Sequence, residues 1–159
     1  MSAAPILLAS LIGLLLLYAA WGDLRRREIP NYLNVLIALC APAVWYILHL
    51  DAAQIGWQVG LAVAVFLPFA LLFFAGGIGG GDVKMLGAMA LWIRPSLILP
   101  FLLLMALVGG GIAAAMIVRR RMGRGPEKPE LPYGVAISAA GFWVIYQQFV
   151  NHFPLNPVN

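Results

Sequence analysis

Two aspartates stand where an apolar run meets a polar one. Asp23 follows the apolar run Pro5–Gly22 and precedes Leu24-Arg25-Arg26-Arg27-Glu28, while Asp82 follows Gly79-Gly80-Gly81 and precedes the apolar run Val83–Ile93. Two carboxyl groups brought together in a partly dehydrated site cannot both ionise easily, so they share a proton. The ionised partner can act as general base on a water, and the protonated one can donate to a scissile carbonyl. Such a pair titrates as a unit, so neither role belongs to one residue. Each acid also has a plainer explanation. Asp23 offsets three neighbouring arginines as a solvated juxtamembrane charge, and Asp82 caps the helix that follows it. The glycines before Asp82 would let an extended peptide approach closely, or would form no more than a flexible turn.

The elements that position these acids are set by composition. Of 159 residues, 63% are apolar and only 10% charged, with a mean hydropathy of +0.93. A soluble domain of this size needs far more polar surface, so most of the chain is expected in lipid, as one membrane-embedded domain over residues 1–159. The net charge of +4 clusters beside apolar runs, which points to membrane orientation and away from nucleic acid. Cys40, the single cysteine, can form no internal disulfide and reads as a small packing residue. No metal-ligand framework stands out, and no cofactor is expected. The apolar N-terminus lacks a basic region and a good cleavage site, so it reads as a retained helix.

At about 20 residues per crossing, the expected fold class is an all-α polytopic membrane protein with about six transmembrane helices. The spans are Pro5–Gly22, Tyr32–Leu50, Trp57–Ala75, a short and partly submerged Val83–Ile93, Pro95–Val118 and Pro132–Val150. A broken helix at Arg94-Pro95, giving five spans, is the alternative. The Gly76–Gly81 run cannot continue a stable helix, and Arg119–Leu131 reads as a polar loop. Pro42, Pro68 and Pro100 are expected to kink their spans, and Asn31 to cap the second helix. With six spans, nine of the ten basic residues (all but Arg94) fall on one side. The positive-inside rule makes that side cytoplasmic and both termini external. Trp45, Trp57 and Trp92 then lie near external ends and Trp21 near an internal one, as interfacial anchors do. Asp23 and Asp82, 59 residues apart, are placed at the same cytoplasmic face by topology alone.

The sequence resembles the type IV prepilin peptidase family of membrane aspartyl peptidases. Gly79-Gly80-Gly81-Asp82 fits its Gly-x-Gly-Asp motif and Val83-Lys84 extends it. Asp23 with the following Arg-Arg-Arg-Glu-Ile29-Pro30-Asn31 is similar to its first aspartate region, and Pro132-Tyr133-Gly134-Val135-Ala136-Ile137 to its Pro-Tyr-Gly-x-Ala-Ile segment. The resemblance implies cleavage of the leader from prepilin-like proteins on the cytoplasmic side of their hydrophobic N-terminal helix, at the bacterial inner membrane. It carries the catalytic roles to Asp23 and Asp82. Gly79, Gly81, Lys84, Pro30, Asn31, Tyr133 and Gly134 would bind substrate or support the site. The nearest subgroup is the short peptidases of tight-adherence or Flp-type pili, with pilus assembly machinery as a further partner. Larger members carry a cytoplasmic region with paired Cys-x-x-Cys motifs and also methylate. Nothing comparable precedes the first span here, so methylation and a need for S-adenosylmethionine are not expected.

Lys84 also suits a plain surface position beside lipid headgroups, and Tyr133 and Gly134 a helix start. His49 and His152 are expected to play no catalytic or metal role, and Gly109-Gly110-Gly111 to serve helix packing. The competing functions are a small ion-coupled transporter and a non-catalytic assembly subunit. Against the first, both acids lie at one face and none lies mid-span.

Overall fold

The computed structural model describes residues 4–123 and 131–150, which among themselves form helices and no strands. Seven α-helices follow in order: α1 (Ala4–Arg26), α2 (Asn31–Leu39), α3 (Ala41–Ile47), α4 (Ala52–Phe74), α5 (Gly80–Ala90), α6 (Pro95–Arg121) and α7 (Tyr133–Ile145). A π-helical turn over Tyr146–Val150 extends α7. With α2 and α3 counted as one broken arm, six helical segments make up a polytopic membrane protein.

Three helices, α1, α4 and α6, are each long and apolar enough to cross a bilayer. They expose leucine and aromatic side chains such as Leu7, Leu14, Leu71, Phe74, Leu103 and Leu107, which suits contact with lipid tails. The centre is built from the shorter pieces. Seven residues of α5 and seven of α7 are buried, because α5 packs against α2, α4 and α7, and α7 against α1 and α6. Small residues permit this approach. A side chain at Gly141 of α7 would run into Leu16 of α1 and Met89 of α5, and Ser138 Oγ donates to the Leu16 carbonyl at 2.9 Å.

Several boundaries depart from the sequence expectations. The second span is not one helix over Tyr32–Leu50. It breaks at Cys40, two residues before Pro42, whose missing N–H and bulky ring interrupt the hydrogen-bond ladder. Cys40 is buried at the break, as a packing residue. Helices α4 and α6 run through Pro68 and Pro100 without interruption. The third span starts at Ala52, five residues earlier than expected, because Asp51 and Gln54 form a reciprocal capping box. The glycine run does not stop helix entirely: Gly80 and Gly81 form the first turn of α5. Helix α6 carries on to Arg121, so only part of Arg119–Leu131 is loop, and residues 124–130 lie outside the described residues, as does His152. Of the glycine triplet, Gly109 faces Ala136 and Tyr133 of α7, whereas Gly110 and Gly111 face open space.

The tryptophans separate into two kinds. Trp57 is 78% exposed, and Trp21 is half exposed with the Arg25 guanidinium 5.1 Å over its ring, as anchors should be. Trp92, by contrast, is 1% exposed and is a core residue. Trp45 donates its indole N–H to the Leu91 carbonyl at 2.8 Å. That bond belongs to a set closing the end of α5. Gln58 of α4 donates to the carbonyls of Ala90, at 2.8 Å, and Ile93. Gln148 donates to the Trp92 carbonyl at 2.9 Å and accepts from the Arg94 amide at 3.1 Å. Gln58 is buried, so Gln58→Leu strands two carbonyls. The expected cost is about 1–3 kcal/mol, read as a lowered thermal unfolding midpoint in detergent.

Candidate active site

Asp23 lies in the last turn of α1 and is buried. The helix ends just beyond it, where Arg27 takes a positive φ of 55°, and the chain turns back through Ile29-Pro30 into α2. Asp82 is the third residue of α5 and is also buried. The N-cap of α5 is Gly79, with no side-chain cap, so Asp82 is not the cap. Its carboxyl instead folds back over Gly79, where an added Cβ would lie 2.7 Å from Asp82 Oδ2. A side chain at 79 would push the Asp82 carboxyl out of that space.

Both aspartates line one cavity of about 390 Å³, together with Arg27, Pro30, Asn31, Gly79 and Gly81. That volume lies within the range of about 300–1,000 Å³ usual for ligand sites. A second opening onto the same two acids is lined by Gly76, Ile78, Leu131 and Tyr133. The start of α7 closes the site from above. Val135 donates its backbone N–H to Asp23 Oδ2 at 3.2 Å, and Tyr133 lines the second opening beside Asp82, whose Oδ1 is buried without a hydrogen-bond partner. Gly134 sits against Asp23 and Ile29. A Cβ there would meet Ile29 Cδ1 at 2.7 Å and Asp23 Oδ2 at 2.9 Å.

Lys84 turns to α2, where its Nζ donates to Asn31 Oδ1 at 2.8 Å. Asn31 is thus occupied by Lys84 and is not the cap of α2, which is Pro30 without a side-chain bond. The structure adds residues the sequence reading passed over. Ile29 is buried and wedges between Gly81 and Gly134. Asn34 donates to the Gly81 carbonyl at 3.1 Å, tying α2 to the first turn of α5. Asn34 follows Asn31 by three residues, so both lie on one helix face. That spacing was the available signal. Among the described residues, no three His, Cys, Asp or Glu side chains converge to hold a metal ion.

An all-helical, multi-pass membrane protein with two buried acids at one end of its bundle defines a narrow class. A scan of family models matches the type IV leader peptidase family over residues 10–114, and the chain belongs to that family. The match covers both aspartates and ends before the Tyr133-Gly134 segment. Neither the curated proteins nor the solved structures gave a match. Family membership makes the protein a peptidase.

The proton chemistry of the site follows from its burial. The Asp82 carboxyl is pushed up from 3.8 to about 7, first by burial and second by the negative charge of Asp23, against backbone hydrogen bonds from Gly79 and Gly134. An acid whose folded pKa is raised binds extra protons in the folded state between the two values. Stability therefore falls as pH climbs from about 4 to about 7 and stays low above that. Asp82→Asn removes this cost. Its unfolding midpoint in detergent should exceed that of the wild type near pH 8, and the gain should vanish near pH 4.

Gly134→Ala gives a steric test. Its methyl group must displace Asp23 or Ile29, and a shift of about 1 Å at such a site costs on the order of 10²-fold in rate. Gly109→Ala, whose Cβ would meet Ala136 at an ordinary 3.6 Å, should retain wild-type peptidase activity. Circular dichroism should show both variants helical.

Proposed function

We propose that the protein is an aspartyl endopeptidase that removes the leader from prepilin-like proteins at the cytoplasmic face of the bacterial inner membrane. The observation that carries this reading is a cavity lined at once by Asp23, Asp82 and the Gly79–Gly81 segment. An extended peptide laid along the glycines would bring its scissile carbonyl between the acids. With one proton shared, one carboxylate takes a proton from water as the water attacks the carbonyl carbon. The other carboxyl donates to the carbonyl oxygen. Collapse of the tetrahedral intermediate breaks the C–N bond, and the leaving amine takes up a proton from the pair. An Asp82 carboxyl that stays protonated to about pH 7 suits this division of labour.

Tyr133, beside both acids at the second opening, and the Lys84–Asn31 pair at the rim would contact the peptide on either side of the cut. The clustering of Arg25, Arg26 and Arg27 beside Asp23, with Arg119, Arg120 and Arg121 at the end of α6, supports the cytoplasmic orientation. Pilins of the tight-adherence or Flp type are the substrates this reading favours, as those of the short peptidases the sequence resembles.

Asp23→Asn and Asp82→Asn should each lower processing of a co-expressed prepilin-like substrate by on the order of 10³-fold. Expression and membrane insertion should persist. The measurement is the ratio of mature to precursor length on a blot, and full processing by either variant would overturn the two-carboxylate mechanism. A cysteine at position 82 labelled only from outside the cell would overturn the orientation.

A further inference from the structure

A second concavity, of about 430 Å³, begins where the candidate active site ends. Asn31 lines both, so the two adjoin at one side chain. From there the groove runs along the membrane-facing side of the bundle. One wall is the α2 face carrying Asn34, Val35 and Ala38, and the floor is the α5 face carrying Gly87, Ala88 and Leu91. Both sets recur at the three- and four-residue spacing of a single helix face, so wall and floor run lengthwise. The far side is Phe66 of α4, whose ring lies 3.0 Å from where a Cβ on Gly87 would be. Glycine at 87 therefore keeps the floor low under the ring. Val35 is 56% exposed, so the trough is open sideways to lipid.

The upper end of this trough is polar: Asn31, Asn34 and Lys84 line it, with Lys84 spent on Asn31. Asn34 is 5% exposed, and its amide nitrogen is spent on the Gly81 carbonyl, but its Oδ1 is buried without a partner. An unpaired buried acceptor is costly, more so beside lipid. The first N–H groups of an α-helix are the complementary orphans, since they have no carbonyl within their own helix.

We infer that this groove seats the apolar helix that follows the scissile bond of the substrate. Its first turn would lie at Asn34 and its flank against Ala38, Ala88 and Leu91. The inference rests on the leader-peptidase reading above and deepens it. A substrate cut just before a membrane helix needs its peptide in the acidic cavity and its helix in lipid at once. Asn31 stands at the junction between those two spaces. Asn34 Oδ1 is the acceptor that the N–H groups of the incoming helix would meet, with Nδ2 kept on the Gly81 carbonyl. The groove would thereby set the distance from the helix start to the cut, and select for an apolar segment with a narrow flank.

Two measurements test this. A photo-reactive amino acid at position 38 in the Asp82→Asn chain should cross-link unprocessed substrate within about two helical turns after the scissile bond. The same probe at position 103, on the lipid-facing side of α6, should not. Adducts with lipid alone at position 38, or equal substrate adducts at both positions, would overturn the groove. In the otherwise wild-type chain, Ala38→Trp should raise KM for the full-length substrate by about 10-fold with kcat within about two-fold. Leu103→Trp should change neither. Ala38→Trp kinetics matching the wild type would overturn the groove while the peptidase reading stands. A wild-type chain that cuts no prepilin-like substrate would overturn the peptidase reading itself.

Discussion

The carbonyl groups at the inner end of α5 must find donors in an apolar interior, and the arrangement of the bundle depends on how they do. At 11 residues the helix is about 16 Å long, roughly half the thickness of a bilayer core. It cannot deliver its last carbonyls to headgroups on the far side. Side chains from three other segments come instead to the carbonyls of Ala90 at its end and of Leu91, Trp92 and Ile93 just beyond: Trp45 of α3, Gln58 of α4 and Gln148 of the π-helical turn. Polar groups of this kind are expensive in a membrane and are retained where they satisfy backbone that would otherwise be orphaned. The consequence is positional. A helix is a stiff rod, so a fixed lower end holds the opposite end, where Asp82 begins, at one height.

The site end is shaped by close approach. Gly81 and Gly134 press on Ile29 from two sides, and Gly134 also touches Asp23. A methyl group at either glycine enters space already occupied. The connection between α1 and α2 is thus the wedge that separates the starts of α5 and α7. Removing bulk at two positions in the sequence is what permits four segments to meet at one point. The same crowding excludes solvent from the acids, and that exclusion is the first cause of the raised proton affinity of Asp82.

Much of this was legible in the sequence because its signals are one-dimensional. Apolar run lengths gave the order of helices, the Gly–Asp junction gave the start of α5 within three residues, and topology put the two acids at one depth, with their lateral approach left to packing. The α2–α3 break was half legible: Pro42 was expected to kink a span, and it ends one helix and begins another. The capping box at Asp51 was fully written as Asp-x-x-Gln and went unread, which moved the start of α4. Trp92 was misplaced because its position near a helix end suits either an interface or a core, and only packing decides. Gln58 and Gln148 are polar residues in apolar runs, a signal of function or of structural need. Which carbonyls they serve depends on lateral neighbours that sequence spacing does not encode.

The two acids also illustrate how one residue type is given two environments. Asp82 sits in the first turn of α5, where unpaired N–H groups and the positive end of the helix dipole favour a negative charge. Asp23 sits in the last turn of α1, where the dipole disfavours one. The start of α7 offsets that disadvantage, since Val135 donates to Asp23 Oδ2. Two helix N-termini, those of α5 and α7, thus converge on a pair of carboxyl groups that burial would otherwise force toward neutrality. Backbone amides do not titrate over the pH range in which carboxyl groups do. Their hold on the acids therefore persists across that range.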